Sequence, residues 1–164
     1  MESVSCAIFD KKKEKILLIK RRDIPVWVLP GGGIEEDEKP EMAALREAFE
    51  ETGCKTEISR KVAYYQPANR LTRPTHFYEC TVSGGTPSIG PETKEIAFFP
   101  LEALPKMLVP FYKTWIEDAR KEKREVIEKK IEKTSYWTFI HYLLTHPLLV
   151  IRFLLTRIGI HINR

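Results

Sequence analysis

The sequence predicts a mixed α/β fold, an α/β or α+β sandwich, on three observations. Short β-branched and aliphatic runs bounded by turn residues fill positions 4–29, and similar runs return over 56–99. Between them, over 40–52, the apolar spacing lengthens to a helical period. A second helical spacing begins at Leu108, so strands and helices alternate along a chain of 164 residues, enough for about one domain.

Residues 4–9 and 16–19 form two apolar runs around the charged turn 10–15, which predicts a β-hairpin. A third run, 26–29, ends at Pro30, and the cluster Gly31-Gly32-Gly33 then breaks regular structure and lets backbone approach a ligand closely. From Pro40 to Thr52 the spacing predicts a helix whose apolar side carries Met42, Leu45 and Phe49 with the small Ala44 and Ala48, leaving the carboxylates to one side. Pro40 suits the first helical position and Gly53 the position past the end, whereas Lys39 is a poor N-cap. Residues 61–65, 75–82 and 95–99 read as strands, with Gly84-Gly85 as a loop. In the second helix Phe111, Trp115 and Ala119 recur every four residues, and the pattern resumes at Ile127 and Ile131. No internal repeat is visible.

With 43% hydrophobic and 30% charged residues and a net charge of +4, the composition excludes a disordered acidic chain and gives no sign of a nucleic-acid-coating protein. Cys6, Cys54 and Cys80 contain no CxxC pair and are odd in number, so neither a disulfide framework nor a cysteine zinc site is expected, and the reducing cytosol is the expected compartment. The start MESVSCAIFD lacks a basic, apolar export signal. Charge is unevenly placed: residues 1–110 hold 16 Lys/Arg against 17 Asp/Glu, and residues 111–164 hold 11 against 6. A near-neutral body is followed by a cationic appendage.

The chemistry concentrates in one pattern. Gly32 is followed after five residues by Glu38, after seven more by Arg46-Glu47-Ala48, then by Glu50-Glu51 and Gly53-Cys54. On a helix Glu47 lies three and four positions from Glu50 and Glu51, so the three project from roughly one face and repel one another. A hard divalent cation offsets that repulsion, and Mg²⁺ in particular keeps waters and substrate phosphates in its oxygen shell. Glu38 lies in the preceding loop within reach of this face, and Arg46 has the fork to pair with Glu50 or to hold a carboxylate in one orientation. A solvated acidic face is the plain alternative. Seven fixed identities at their spacing make a chance match on the order of 10⁻⁸ per window.

Residues 32–54 resemble the signature box of the Nudix hydrolases, and the flanking segments to about residue 119 suit that family in length and element order. The resemblance implies an α/β/α sandwich with a mixed sheet, and hydrolysis, with Mg²⁺ or Mn²⁺, of a diphosphate bond in a nucleoside diphosphate linked to another moiety. It also implies that Glu47, Glu50 and Glu51 are metal ligands or the water-activating base, and that Arg46 orients Glu47. Glu38 becomes an accessory carboxylate and the Gly31 carbonyl a backbone ligand. Relatives often place one more acidic ligand outside the box. Glu92 and Glu95 stand before the apolar run 96–99, and Glu95 is favoured here over an ordinary surface role.

Lys20-Arg21-Arg22 ends a strand about ten residues before the glycines, so Arg21 and Arg22, with Gly32 and Gly33, are candidates to contact substrate phosphates; plain surface is the alternative. Tyr64, Tyr65, Phe77 and Tyr78 are available for base stacking or for the core. The three-glycine form resembles members acting on dinucleoside polyphosphates or diphosphoinositol phosphates. His76, His141, His146 and His161 show no metal spacing, and Cys54 reads as a small buried residue.

Beyond a catalytic domain of residues 1–119, residues 120–164 read as a helical extension. Residues 134–151 carry no formal charge, and Trp137, Phe139 and Tyr142 with Arg152 and Arg157 suit a headgroup boundary. Packing on the domain, pairing with a second copy, peripheral membrane contact through 134–164 and a true membrane span of the 18 uncharged residues are the readings this composition allows, Pro147, His141 and His146 speaking against the span. The expected partner is a small-molecule phosphoanhydride and no nucleic acid. A module that senses nucleotide without turnover, or a membrane-docked scaffold, is the competing functional class.

Overall fold

The computed structural model describes residues 2–67, 72–121 and 125–131, together with positions 147, 151 and 155. Its elements are β1 (Ser3–Phe9), β2 (Lys15–Arg21), β3 (Trp27–Val28), α1 (Pro40–Thr52), β4 (Cys54–Gln66), β5 (Thr75–Gly85), β6 (Thr93–Pro100), α2 (Pro110–Arg120) and β7 (Ile127–Lys130). All seven strands join one sheet in the order β3-β2-β1-β5-β4-β7, with β6 paired to β2. The β1–β5 and β4–β7 pairs are parallel and the others antiparallel. The mixed sheet expected from the sequence is therefore present.

Alternation along each strand sends side chains to two faces. Val4, Cys6, Ile8, Leu17, Tyr78 and Cys80 join the core on the α1 face, while Ala7, Phe9, Ile16, Leu18, Val62 and Phe77 join the core under α2. Trp115 anchors the α2 side, its ring stacked on Tyr65 with centroids 4.1 Å apart. The hairpin over residues 4–19 forms, yet β1 and β2 share only the Phe9↔Ile16 pair, whereas β1 runs seven residues along β5. The two strands splay. Into the opening comes the glycine loop, whose Pro30 and Gly32 carbonyls accept from the N–H groups of Cys6 and Val4.

Three expectations are corrected. The helical pattern resuming at Ile127 is a strand, β7, because Ile131 is drawn into the α2-side core and Ala63 to Gln66 of β4 offer a free edge. Gly84 and Gly85 are not a loop but the end of β5, opposite Lys55 and Cys54. In α1 the buried face carries Ala43, Ala44, Ala48 and Thr52, while Met42 and Phe49 are 58% and 50% exposed. Small residues win there because the helix rides close on the sheet: the Cys6 Sγ lies 3.4 Å from the Ala44 carbonyl oxygen, leaving no room for a large side chain between. The anticipated strand 26–29 keeps two paired residues.

The readings for residues 134–164 fall outside the described residues apart from the three isolated positions, as do those for His141, His146 and His161. Among the described residues no helix is long and apolar enough to cross a membrane.

Candidate active site

α1 starts at Pro40 without a side-chain cap and stops at Gly53, whose left-handed backbone (φ 69°) returns its N–H to the Phe49 carbonyl at 2.7 Å. Its last two turns carry Arg46, Glu47, Glu50 and Glu51 toward the glycine loop. Gly31 sits so close to β1 that a Cβ there would collide with the Val4 carbonyl, and a Cβ on Gly32 would strike the Glu47 carboxylate. The glycines thus let the loop lie directly against the acidic face.

Arg46 knits this face together. Its Nε and Nη2 donate to the two oxygens of Glu38, both at 2.8 Å. Nη1 donates to Glu47 at 3.0 Å and to Glu50 at 3.3 Å, and Nη2 also reaches the Gly33 carbonyl at 3.0 Å. The guanidinium holds the Glu38 carboxyl down at about 2, and Arg46 itself is raised by Glu38 and Glu47. Both Glu38 oxygens are engaged, so it stands as the anchor of Arg46, with Glu35 N–H donating to it as well.

The three box carboxylates differ in burial. Glu50 is exposed and Glu47 mostly covered. Glu51 is the most enclosed: burial pushes its carboxyl up to about 8, opposed by the Gly31 N–H, which donates to it at 2.8 Å, and by Arg21, and reinforced by the charges of Glu47 and Glu92. Burial also raises Glu47, against the pull of Arg46. One oxygen of each carboxylate is bonded, and the other has no hydrogen bond among the described residues. No three His, Cys, Asp or Glu side chains converge into a finished cation cage among those residues. The donor set nonetheless suits a dication: two desolvated, mutually repelling carboxylates, each with an oxygen to give.

The neighbouring sequence candidates separate. Glu95 faces Lys20 in the β2–β6 ladder and accepts from its Nζ at 2.9 Å. Glu92 is the acidic residue before β6 whose charge acts on Glu47, Glu51 and Arg21. Arg21 is clamped by Asp23 through two bonds of 2.8 and 2.6 Å, and Arg22 turns its guanidinium to the carbonyls of Pro91 and Thr93. Of the aromatic candidates, Tyr65, Phe77 and Tyr78 are core, and only Tyr64 is partly exposed, bonded to Glu2 beside His76.

Two residues near the site were missed from the sequence. Asp23 fixes Arg21, and an acidic residue two positions after an arginine in a turn was the available signal. Tyr112, on α2, brings a buried hydroxyl close to Arg21, Glu51 and Ser5, and burial pushes it up to about 12. It stands beside the Phe111–Trp115 stripe and carries no periodic mark of its own.

The NUDIX domain family matches residues 1–119. The Bacillus subtilis (strain 168) protein named "Putative 8-oxo-dGTP diphosphatase" is 34% identical over 115 residues, covering 70% of this chain and 77% of that one. Human diphosphoinositol polyphosphate phosphohydrolase 2 is 36% identical over 81 residues, 48% of this chain and 44% of the relative. Among solved structures, a NUDIX hydrolase from Nitrosomonas europaea superposes with a TM-score of 0.67 at 22% identity, over 79% of this chain and 77% of that one, a likeness of fold. With the family match spanning most of its length, the chain belongs to the Nudix family.

Proposed function

We propose that the chain is a metal-dependent Nudix pyrophosphohydrolase that cleaves a diphosphate linkage in a nucleoside diphosphate joined to another moiety. The observation that carries this reading is the Arg46-bound carboxylate face of α1, with Glu47 and Glu51 desolvated against the glycine loop. Glu47, Glu50 and Glu51, with the backbone of Gly31, would hold Mg²⁺ or Mn²⁺. When bound, the metal neutralises phosphate charge and lowers the pKa of a coordinated water. The chain's own part is orientation and proton handling. Arg46 fixes the rotamers of Glu47 and Glu50, the Gly31 N–H fixes Glu51, and a carboxylate whose pKa is raised toward neutrality accepts a proton from the attacking water. Arg21, clamped by Asp23, adds a positive charge facing Glu51, where phosphate charge would also gather. Close approach of backbone at Gly32 and Gly33 leaves room for the phosphates.

The substrate is read from a panel of NTPs including 8-oxo-dGTP, ADP-ribose, nucleotide sugars, dinucleoside polyphosphates and diphosphoinositol phosphates, assayed with Mg²⁺ and with EDTA. Phosphate-bond cleavage that requires the metal is expected for at least one class. Glu50→Gln or Glu51→Gln should lower that turnover by ~10²-fold or more with the circular dichroism spectrum unchanged. Undiminished turnover in both variants would refute the assignment, and binding without turnover across the panel would favour a nucleotide sensor.

A further inference from the structure

The outer side of α1 is an apolar stripe. Met42, Leu45 and Phe49, spaced three and four apart, share one side of the helix, Met42 and Phe49 exposed and Leu45 half-buried. Ile89, 56% exposed, stands beside the last turn. Its backbone is fixed there from both sides, since Ser88 N–H donates to the Thr52 carbonyl at 2.8 Å and Gly90 lies so close to the Glu50 carbonyl that a Cβ would collide with it. Single exposed apolar residues are ordinary, but four grouped along one helix mark a surface that is covered by something. The surroundings are acidic. Residues 34–52 hold eight Asp/Glu against Lys39 and Arg46, and Arg46 is already bonded to three of the carboxylates.

Charge selects the occupant. A second copy pairing antiparallel through this stripe would set Met42 against Phe49 and therefore Glu41 against Glu50, both exposed, and an anionic membrane would meet the same repulsion. The chain carries its own complement. No acidic residue follows Glu132, and the largely apolar residues 134–164 include Arg152, Arg157 and Arg164. This segment has more than twice the 13 residues of α1, so it is long enough to lie along the whole stripe. It follows Ile131, whose N–H donates to the Gln66 carbonyl at the end of β4, and the first turn of α1 is bonded to the adjacent β5 through Glu41 and the Tyr78 hydroxyl at 3.0 Å. Ile151 of the segment is itself 47% exposed, so one chain holds two uncovered apolar surfaces with charges of opposite sign around them. We propose that residues 134–164 dock on their own domain across the Met42–Leu45–Phe49 stripe, their arginines facing the acidic margin of α1. The same cations suit an anionic vesicle, which would compete with α1 for the segment.

The test places a photoreactive group in the full chain, as Phe49→benzoylphenylalanine, and maps the peptide captured on irradiation by mass spectrometry. The substitution enlarges an exposed ring and leaves the fold intact; Lys12→benzoylphenylalanine, in the exposed β1–β2 turn, is the control. Position 49 is expected to capture peptides from 134–164 within a single chain, in a yield that does not change on dilution, while position 12 does not. Arg152→Glu, Arg157→Glu and Arg164→Glu together should lower that yield about 10-fold. Equal capture from positions 49 and 12, undiminished capture in the arginine variant, or no capture of the segment overturns the proposal. Capture of a second chain, rising with concentration, overturns it in favour of a dimer, and capture of lipid in place of the segment, with phosphatidylserine vesicles present, overturns it in favour of a membrane.

Discussion

Arg46 and Glu51 divide the work of the acidic face between organisation and desolvation. Arg46 bridges Glu38, Glu47, Glu50 and the Gly33 carbonyl, which only a planar fork can do. Arg46→Lys should therefore lower kcat/KM by about 10–100-fold while the melting temperature moves little, as steady-state kinetics beside calorimetry will show. Glu51 makes a thermodynamic prediction. Its carboxyl titrates near 8 in the folded chain against an ordinary 4.5, so between those values the folded state binds more protons than the unfolded one. Metal-free stability should fall as pH rises from about 4.5 to about 8, with Glu47, also raised, acting in the same direction. Glu51→Gln should flatten much of that slope, by an amount on the order of a few kcal/mol, in chemical denaturation at the two pH values. The low value of Glu38 bears only on more acidic solutions and leaves this window untouched. The sequence made Arg46 and the three glutamates legible because their chemistry demands fixed spacing on one helix. Asp23 and Tyr112 were not legible, since each reaches the site through a tertiary contact that no periodicity records.

At the scale of elements, α1 shows why apolar spacing alone does not orient a helix. Met42, Leu45 and Phe49 follow a helical stripe as well as the alanines do, yet the sheet accepts the alanines because a helix that must bring Glu47 and Glu51 to the glycine loop has to lie close. Ala44→Leu should thus destabilise the fold by ~1–3 kcal/mol through overpacking, while Phe49→Ser on the exposed side should cost less than ~1 kcal/mol, both read from urea midpoints. β7 escaped sequence reading for a different reason. Four residues with one partly buried side chain give no alternation to detect, and its pairing partner lies some sixty positions back. Its anchor is specific: Lys129 donates to both oxygens of the buried Asp118, at 3.1 and 3.0 Å, and Tyr65 donates to the same carboxylate at 3.0 Å. These bonds and Lys121 hold Asp118 below the usual carboxylate range despite its burial.

Over the whole molecule, the family match ends at residue 119, but the sheet continues to residue 130 and the core to Ile131. A chain ended at Ala119 should melt several degrees below one ended at Lys133, because burying Ile131 alone contributes ~1.5–3 kcal/mol and Asp118 would lose its lysines. Residues 134–164 then pose a separable question. Their cationic, apolar composition predicts that the full chain co-sediments with anionic vesicles more than the Lys133-ended chain does, and equal sedimentation of the two removes the membrane reading. The mixed sheet and its two helix-bearing faces were legible from alternating runs and the lengths between them. The connectivity was less so, because the hairpin suggested by residues 4–19 opens after one shared pair and β1 finds its long partner in β5.

That splay carries a consequence for biosynthesis. A ribosome that has released the glycine loop and the whole of α1 has delivered β1 its partners on one side only, the loop and Ile16, while its seven-residue ladder on the other side waits for Ser3 to meet Thr75. The motif is complete in covalent terms long before the strand beneath it has a partner on its second edge, so the nascent chain must carry that edge unpaired across some seventy positions of synthesis. Closing so distant a parallel pair is slow, and it makes this interval the one in which the polypeptide is most open to chaperone capture or to self-association.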